Sequence, residues 1–392
     1  MSFSGTPQLW QRRPVRRAAF VIGIIGLIVV APIAAVPAYD FPEARPFSGS
    51  TWRNPYEGWW GGFQKVNLHS HSKAWGGITA GASSSEALAN TYVQWGFKAL
   101  AISNYFEVTH LAAPPLPMVR GYEHGLNFTK SHRLVLGTDD VVALDFPIST
   151  RSARQWVLNV IGSSGALVGL NHPALRQGHA CSDTEALTGY QLFEVHNPYA
   201  TSAFEWDCAL SAGRLVWAMG NDDSHSTREE GIGIAWNMVG TQTLDEASIL
   251  SALGQGRSYV VRGERGQMDA EVLGLTVDAS GAMRVELSQA AARVEWLTDG
   301  GAVRQVDLNV DRSTFTPHPH DHYVRVVIRT PRTEVVLNPI VRSGSWSAPV
   351  ASIDWPLTLG SWTAWLVGAV AVAWLGRPRK HLRLVESLQR AA

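Results

Sequence analysis

Histidines and acids set at the ends of short apolar runs most narrow what this chain can fold into. Val66–Leu68 leads into His69 and His71, Ala166–Leu170 into His172, and Leu215–Met219 into Asp223 and His225. His132 instead opens its run, Arg133–Leu136, and Glu123 stands in Gly121-Tyr122-Glu123. In a sheet or barrel of mostly parallel strands, residues just beyond strand ends converge on one face, and sites are built there. Imidazoles and carboxylates that converge in this way suit borderline divalent metals. The pentapeptide Asn67-Leu68-His69-Ser70-His71 is the most compact instance. Its period of two puts Asn67, His69 and His71 on one face and Val66 and Leu68 on the other.

At 392 residues the chain has room for two domains. Asp40–Gly62 is rich in Pro, Gly and aromatics and reads as a linker. Phe63–Arg262 alternates short apolar strands with helical stretches at Ser84–Trp95, Ser152–Gly162 and Leu244–Leu253, the last with Thr243 as its cap. That alternation predicts βα units and a largely parallel sheet or barrel. From Gly266 the texture changes to strands at Ala270–Val277, Met283–Leu287, Val294–Leu297, Tyr323–Arg329 and Glu334–Val341, which predict a small β-sandwich-like module.

The ends of the chain carry a different signal. Ala18–Val36 is uncharged, close to the roughly 20 residues that cross a hydrocarbon core, and follows Arg12, Arg13, Arg16 and Arg17. Trp355–Leu375 is also apolar and precedes Arg377, Arg379, Lys380 and Arg383. The positive-inside rule then places both termini in the cytoplasm and the middle of the chain outside, in a cell membrane such as the bacterial inner membrane. The competing reading of the first run is a cleaved signal peptide with Val36-Pro37-Ala38 as its small-residue site, although the run exceeds the usual h-region length. The organisation expected is a cytoplasmic segment 1–17, a span 18–36, a linker 37–62, a barrel 63–265, a β module 266–350, a span 355–375 and a cytoplasmic tail 376–392. A net charge of zero implies no nucleic-acid partner. The only cysteines, Cys181 and Cys208, lack CxxC spacing and, in an oxidising compartment, are expected to pair if their Cα atoms come close enough.

Taken in order, HxH at His69 and His71, Glu123, His132 before Leu134-Val135-Leu136-Gly137, Asn171-His172-Pro173, and Asp223-Ser224-His225 resemble the PHP (polymerase and histidinol phosphatase) superfamily across about Phe63–Arg262. Glu194-Val195-His196-Asn197 looks like that family's strand ending in Asn, and Ile249–Val260 resembles the stretch that follows its last motif. The resemblance implies a distorted (β/α)7 barrel holding two or three divalent ions (Mn, Zn or Fe) and hydrolysing phosphate esters. Carried over, one metal takes His69, His71, Glu123 and Asp223, and the second takes Glu123 as a bridge with His132 and His172. Glu123 and His225 are the expected catalytic groups, with His225 the nearest candidate for proton transfer.

The chain also departs from the family pattern. Trp75-Gly76-Gly77 stands where the family has an acidic turn, and Ser103-Asn104-Tyr105 where it has T-D-H, so the third metal site is expected to be missing. Two readings follow. One is a membrane-anchored two-metal phosphoesterase acting on a small phosphorylated substrate. The other is an inactive scaffold that serves as an accessory subunit of a larger respiratory or photosynthetic membrane complex, its helices packing through Gly23, Gly26, Gly360, Ser361 and Gly368. Asp222, Asp139, Asp140, His110, His124, Lys73, Lys130, Arg176 and the run His318-Pro319-His320-Asp321-His322 read as capping, orienting or solvated groups rather than ligands.

Overall fold

The computed structural model describes residues 13–59, 61–78, 81–228, 230–264 and 266–377. Arg12, Arg379, Lys380 and Arg383 of the basic flanks lie outside them. The chain divides into two compact units, one of the two end segments (1–38 and 353–392) and one of Tyr39–Ser352.

In the end unit, helices Arg13–Ala34 and Trp355–Gly376 run side by side in opposite directions. Both are long and apolar enough to cross a membrane, and neither is buried. The second begins where the Asp354 carboxylate accepts the Leu357 N–H at 2.9 Å, with Pro356 in its first turn. At its other end Arg16 closes the pair: its guanidinium donates to the carbonyls of Leu375, Trp374 and Arg377 at 2.8, 2.8 and 3.0 Å. These carbonyls lie at the helix C-terminus, where the Arg377 N–H also reaches Trp374 O at 3.3 Å, and a cation there is favoured both by hydrogen bonding and by the helix dipole. Of the small residues expected at helix contacts, Gly23 is used: a Cβ there would lie 2.7 Å from Val372 Cγ2. A Cβ at Gly26, Gly360 or Gly368 would meet nothing within 4 Å.

The Tyr39–Ser352 unit is a mixed α/β structure. The three expected helical stretches are present, starting within two residues of their expected positions, at Ser85–Gln94, Arg151–Gly162 and Glu246–Gly254. Ser84 and Thr150 cap the first two. The third is capped by Asp245, whose carboxylate accepts the Ser248 N–H at 2.9 Å, and not by Thr243, which donates its hydroxyl to that carboxylate. A cap accepts the N–H two or three residues on, and Thr243 stands five residues before Ser248.

The strands are less parallel than the alternating texture suggests. Leu167–Asn171, Leu192–Asn197 and Trp217–Gly220 run parallel, but His132–Leu136 is antiparallel to both Gly121–His124 and Leu167–Asn171. A second sheet joins Ala99–Leu100 and Phe63–Asn67 in parallel, then Ala235–Gly240 and Ser258–Gly263 antiparallel. Isolated parallel bridges (Ser70 to Ser224, Leu100 to Met118, Tyr105 to Glu123) link the strand ends of the two sheets. Their inner faces share one apolar cluster that includes Val66, Leu68, Leu134, Leu136, Leu192, Met219 and Val239. The C-terminal strands extend the second sheet, since Tyr259 pairs with Leu337. Two of the predicted strands are one, Met283–Thr298, and it pairs with a strand that was not predicted, Ala302–Phe315. The latter alternates apolar and polar residues over Val306–Asp311, yet it is mostly exposed, with Val303, Val306 and Leu308 on the surface rather than in the core.

Two covalent and ionic ties hold helix Ala203–Ser211 in place. Asp207 takes a bidentate pair from Arg325, at 2.8 and 2.5 Å, with both side chains buried. Cys208 forms a disulfide with Cys181, with Cα atoms 5.5 Å apart. The bond closes a loop over a sequence separation of 27 residues, for which the chain-entropy account gives about 3.5 kcal/mol. Cys181→Ser with Cys208→Ser should therefore lower the unfolding free energy by about 2–4 kcal/mol in a denaturant titration, without change in the secondary structure seen by circular dichroism.

Candidate metal centre

Backbone pairing just past the strand ends brings the predicted residues together. Strand Phe63–Asn67 ends as Asn67 turns its side-chain oxygen back to accept the His69 N–H at 3.1 Å. The His69–His71 segment then zips to the Asp223 segment: Asp223 N–H donates to His69 O at 3.0 Å and His71 N–H to Ser224 O at 2.7 Å. Glu123 sits near the end of its strand, with its neighbour across an isolated bridge at Tyr105. His132 is the first residue of an antiparallel strand and lies opposite Asn171, one residue before His172. This is why His132 opens its apolar run while the others close theirs. A reversed strand presents its beginning at the end where its neighbours finish.

Two of the positions are backbone-strained. His172 has φ +31° and Asp223 has φ +45°, in a region that non-glycine residues seldom enter. Such conformations cost on the order of 1–3 kcal/mol each and persist where surrounding structure over-determines them, commonly at functional sites.

The side chains meet at close range. His69 Nε2 lies 3.2 Å from His71 Nε2, 3.3 Å from Glu123 Oε1 and 3.3 Å from Asp223 Oδ1. His71 Nε2 is 3.2 Å from both Glu123 Oε2 and Asp223 Oδ1. Glu123 Oε1 also receives His132 Nδ1 at 2.9 Å, His172 Nε2 at 3.2 Å and Asn171 Nδ2 at 2.9 Å. None of His69, His71, Glu123, His132, His172 and Asp223 is more than 4% exposed. His225 stands at the rim, partly exposed, its Nδ1–H donating to Asp223 O at 2.8 Å and its ring 4.6 Å from that of His71. All seven predicted residues are thus in one place.

Hydrogen bonding within this cluster is incomplete in a way that fits a cation. His69 Nδ1 faces Glu194 Oε1 at 3.1 Å, so its proton belongs there and Nε2 turns a lone pair inward. Glu123 Oε2 and Asp223 Oδ1 are buried near His71 Nε2 without a hydrogen bond to it, and His132 Nε2 and His172 Nδ1 find no hydrogen-bond partner among the described residues. His69, His71 and Asp223 form one triad of mutually close ligand atoms, and His69, Glu123 and His172 form another. Electrostatics agree. Burial alone would raise the Glu123 and Asp223 carboxyls, but the imidazoles around them outweigh it and hold both below the ordinary carboxylate range. Burial would lower His69 and His71, yet the carboxylates outweigh it and raise both. The carboxylates thus draw positive charge into the cluster, and a divalent ion with neutral imidazoles supplies it with better geometry than shared protons do.

Sequence reasoning gave less weight to the groups that hold these ligands. Glu194 is fully buried and accepts from His69 Nδ1, from the His172 N–H at 2.8 Å, from Asn221 Nδ2 at 2.9 Å and from Asn197 Nδ2 at 3.1 Å. Asn197 also donates to Asp223 Oδ2 at 3.2 Å. The signal available was a carboxylate inside the apolar run Leu192-Phe193-Glu194-Val195, since a buried charge demands partners. Asp222 does not orient a ligand. Its carboxylate accepts the N–H groups of Gly233, Ile234 and Ala235 and the Tyr92 hydroxyl, and so it fixes a turn. Asn104 bonds Ser72 and Thr109. His110 is exposed beside Asp139, and His124 is buried with Nε2 on the Leu144 carbonyl, its pKa pushed down to about 4 mainly by burial and then by Arg133.

No family profile and no curated relative matches the chain in sequence. In structure it is similar to a two-domain protein from Bacteroides vulgatus containing a predicted PHP-like metal-dependent phosphoesterase, at 12% identity and TM-score 0.40, over 78% of this chain and 90% of that one. It is also similar to a lesion-specific endonuclease from Pyrococcus furiosus at 11% identity and TM-score 0.34, over 49% of this chain and 56% of that one. The same figures of identity and coverage, with TM-score 0.33, apply to an endonuclease Q bound to a duplex with an abasic lesion.

Because Glu194 fixes the His69 ring and the His172 backbone together, Glu194→Gln should weaken Mn2+ affinity by about 10–100-fold, as loss of a partner behind a metal ligand generally does. Isothermal titration of metal-stripped protein with MnCl2 measures this, and an unchanged affinity would remove Glu194 from the account.

Proposed function

We propose that this chain is a membrane-anchored, extracytoplasmic PHP-like phosphoesterase that works with two divalent metal ions. The observation that carries this reading is the inward convergence of His69, His71, Glu123, His132, His172 and Asp223, buried within 3.9 Å links of one another and short of hydrogens to share. In this reading the linked strand ends form the distorted (β/α)7 barrel. His69, His71, Glu123 and Asp223 hold one ion, and Glu123, His132 and His172 hold the other. Bound there, ions of the Mn, Zn or Fe class supply an activated water and a clamp for phosphoryl oxygens. His225, whose Nδ1–H is committed to the Asp223 carbonyl, carries and delivers a proton at Nε2. Glu194, Asn171 and Asn197 keep the ligands oriented. No third ion is expected, because Gly76 offers no ligand atom and the Tyr105 ring lies against the ligands His71 and His132.

The cell-membrane placement rests on the two unburied apolar helices and on the disulfide, which suits an oxidising compartment. Both termini are then cytoplasmic, and Tyr39–Ser352 lies outside. Protease added to intact spheroplasts should cleave this unit, and its protection would overturn the arrangement.

For the chemistry, metal content and p-nitrophenyl phosphate hydrolysis are measured together. Glu123→Ala should release both ions and abolish turnover. His225→Ala should keep both ions and lower kcat by about 10²–10⁴-fold, the usual worth of a positioned proton-transfer group. A wild-type protein that carries both ions yet hydrolyses no phosphate ester of several classes would favour the scaffold reading, in which the domain serves as a subunit of a membrane complex.

A further inference from the structure

Tyr105 lies against both halves of the ligand cluster. Its ring stacks on His71, with centroids 4.8 Å apart and planes at 22°, and meets His132 edge-on at 5.4 Å and 80°. The backbone pairing sets it beside Glu123, the carboxylate shared by both proposed ion sites. The backbone is equally fixed. Tyr105 bridges to Glu123, the next residue's N–H donates to the Glu123 carbonyl at 3.0 Å, and the Tyr105 carbonyl accepts the Trp75 indole N–H at 2.8 Å. Lys130 brings its ammonium to 6.0 Å from the ring centroid. The six ligands beneath are almost fully buried, whereas Tyr105 itself is partly exposed and Trp75 more so.

We infer that the Tyr105 ring is the gate of this centre: it separates His71 and His132 from solvent, and a phosphate ester reaches the ligand atoms only when the ring turns away. The contacts are of the kind that can be exchanged. An aromatic ring on two imidazoles adds only a modest stabilisation per pair beyond its buried area, small enough for an incoming anionic group to displace. Lys130 stands beside the ring, where its charge would meet that anion. Tyr105 therefore governs access and substrate size. The barrier is the ring and not the phenol hydroxyl. The assignment to ester access rests on the phosphoesterase reading, while the shielding of the imidazoles does not.

The test uses full-length, metal-stripped protein in detergent, modified with diethyl pyrocarbonate and mapped by mass spectrometry. His110, whose side chain is 64% exposed, is the internal standard. In wild type and in Tyr105→Phe, His71 and His132 should react slowly relative to His110. In Tyr105→Ala their relative rates should rise by about tenfold or more, as expected when a protecting contact is removed from a folded site. Tyr105→Leu, which keeps apolar bulk without a flat ring, should fall between, and it stands in if the alanine variant loses its cooperative unfolding transition. Equal rates in wild type, Tyr105→Ala and Tyr105→Leu overturn the gate. A Tyr105→Phe protein as reactive as Tyr105→Ala also overturns it, because the hydroxyl would then be the barrier. Wild-type protein that binds no Mn2+ in a parallel titration refutes the metal-centre reading and leaves the shielding result to be judged on its own.

Discussion

The Glu123 carboxylate is the interaction on which the rest of the structure depends. It is fully buried, and burying an ion without compensation costs several kcal/mol. The chain meets that cost with imidazoles from three separate segments, at His69 and His71, at His132 and at His172, and with the amide of Asn171. Each of those segments is then committed to one end of its strand. Removing Glu123 would leave several histidines with no reason to point inward, and removing the histidines would leave a buried charge without partners.

The same constraint accounts for features that would otherwise be unfavourable. His172 and Asp223 adopt left-handed backbone conformations, which turn their side chains back toward Glu123 and His71. Glu194, a second buried carboxylate, is tolerated because four donors surround it, and through it the His69 ring and the His172 backbone move as one. Outside the cluster the links are simpler. Arg325 on Asp207 and the Cys181–Cys208 bond keep helix Ala203–Ser211 on the C-terminal strands and on its neighbouring helix.

Much of the site was legible because ligands fall at the ends of apolar runs, a pattern visible without any structure. Even the odd member was informative. His132 opens its run because its strand is reversed, and that reversal is also why a wholly parallel reading of the sheet fails. Strand direction itself leaves no mark on composition, since an apolar run reads alike both ways. Glu194 was underrated because strand position alone cannot tell a ligand from the group behind it. Tyr105 was seen only as a replacement, since nothing in Ser103-Asn104-Tyr105 says that its ring rests on two imidazoles. Strand Ala302–Phe315 was missed although Val306–Asp311 alternates, and the cap of Glu246–Gly254 slipped by two residues because Thr243 and Asp245 are both good capping types.

The central claim is that Glu123 stands between two bound cations. Anomalous diffraction at the manganese edge from crystals of the Tyr39–Ser352 unit's parent chain, grown with Mn2+, tests it most directly. The account predicts two anomalous peaks about 3.5–4 Å apart, flanking the Glu123 carboxylate, one against His69, His71 and Asp223 and the other against His132 and His172. A map with no anomalous peak there, and with these side chains turned apart, would contradict it.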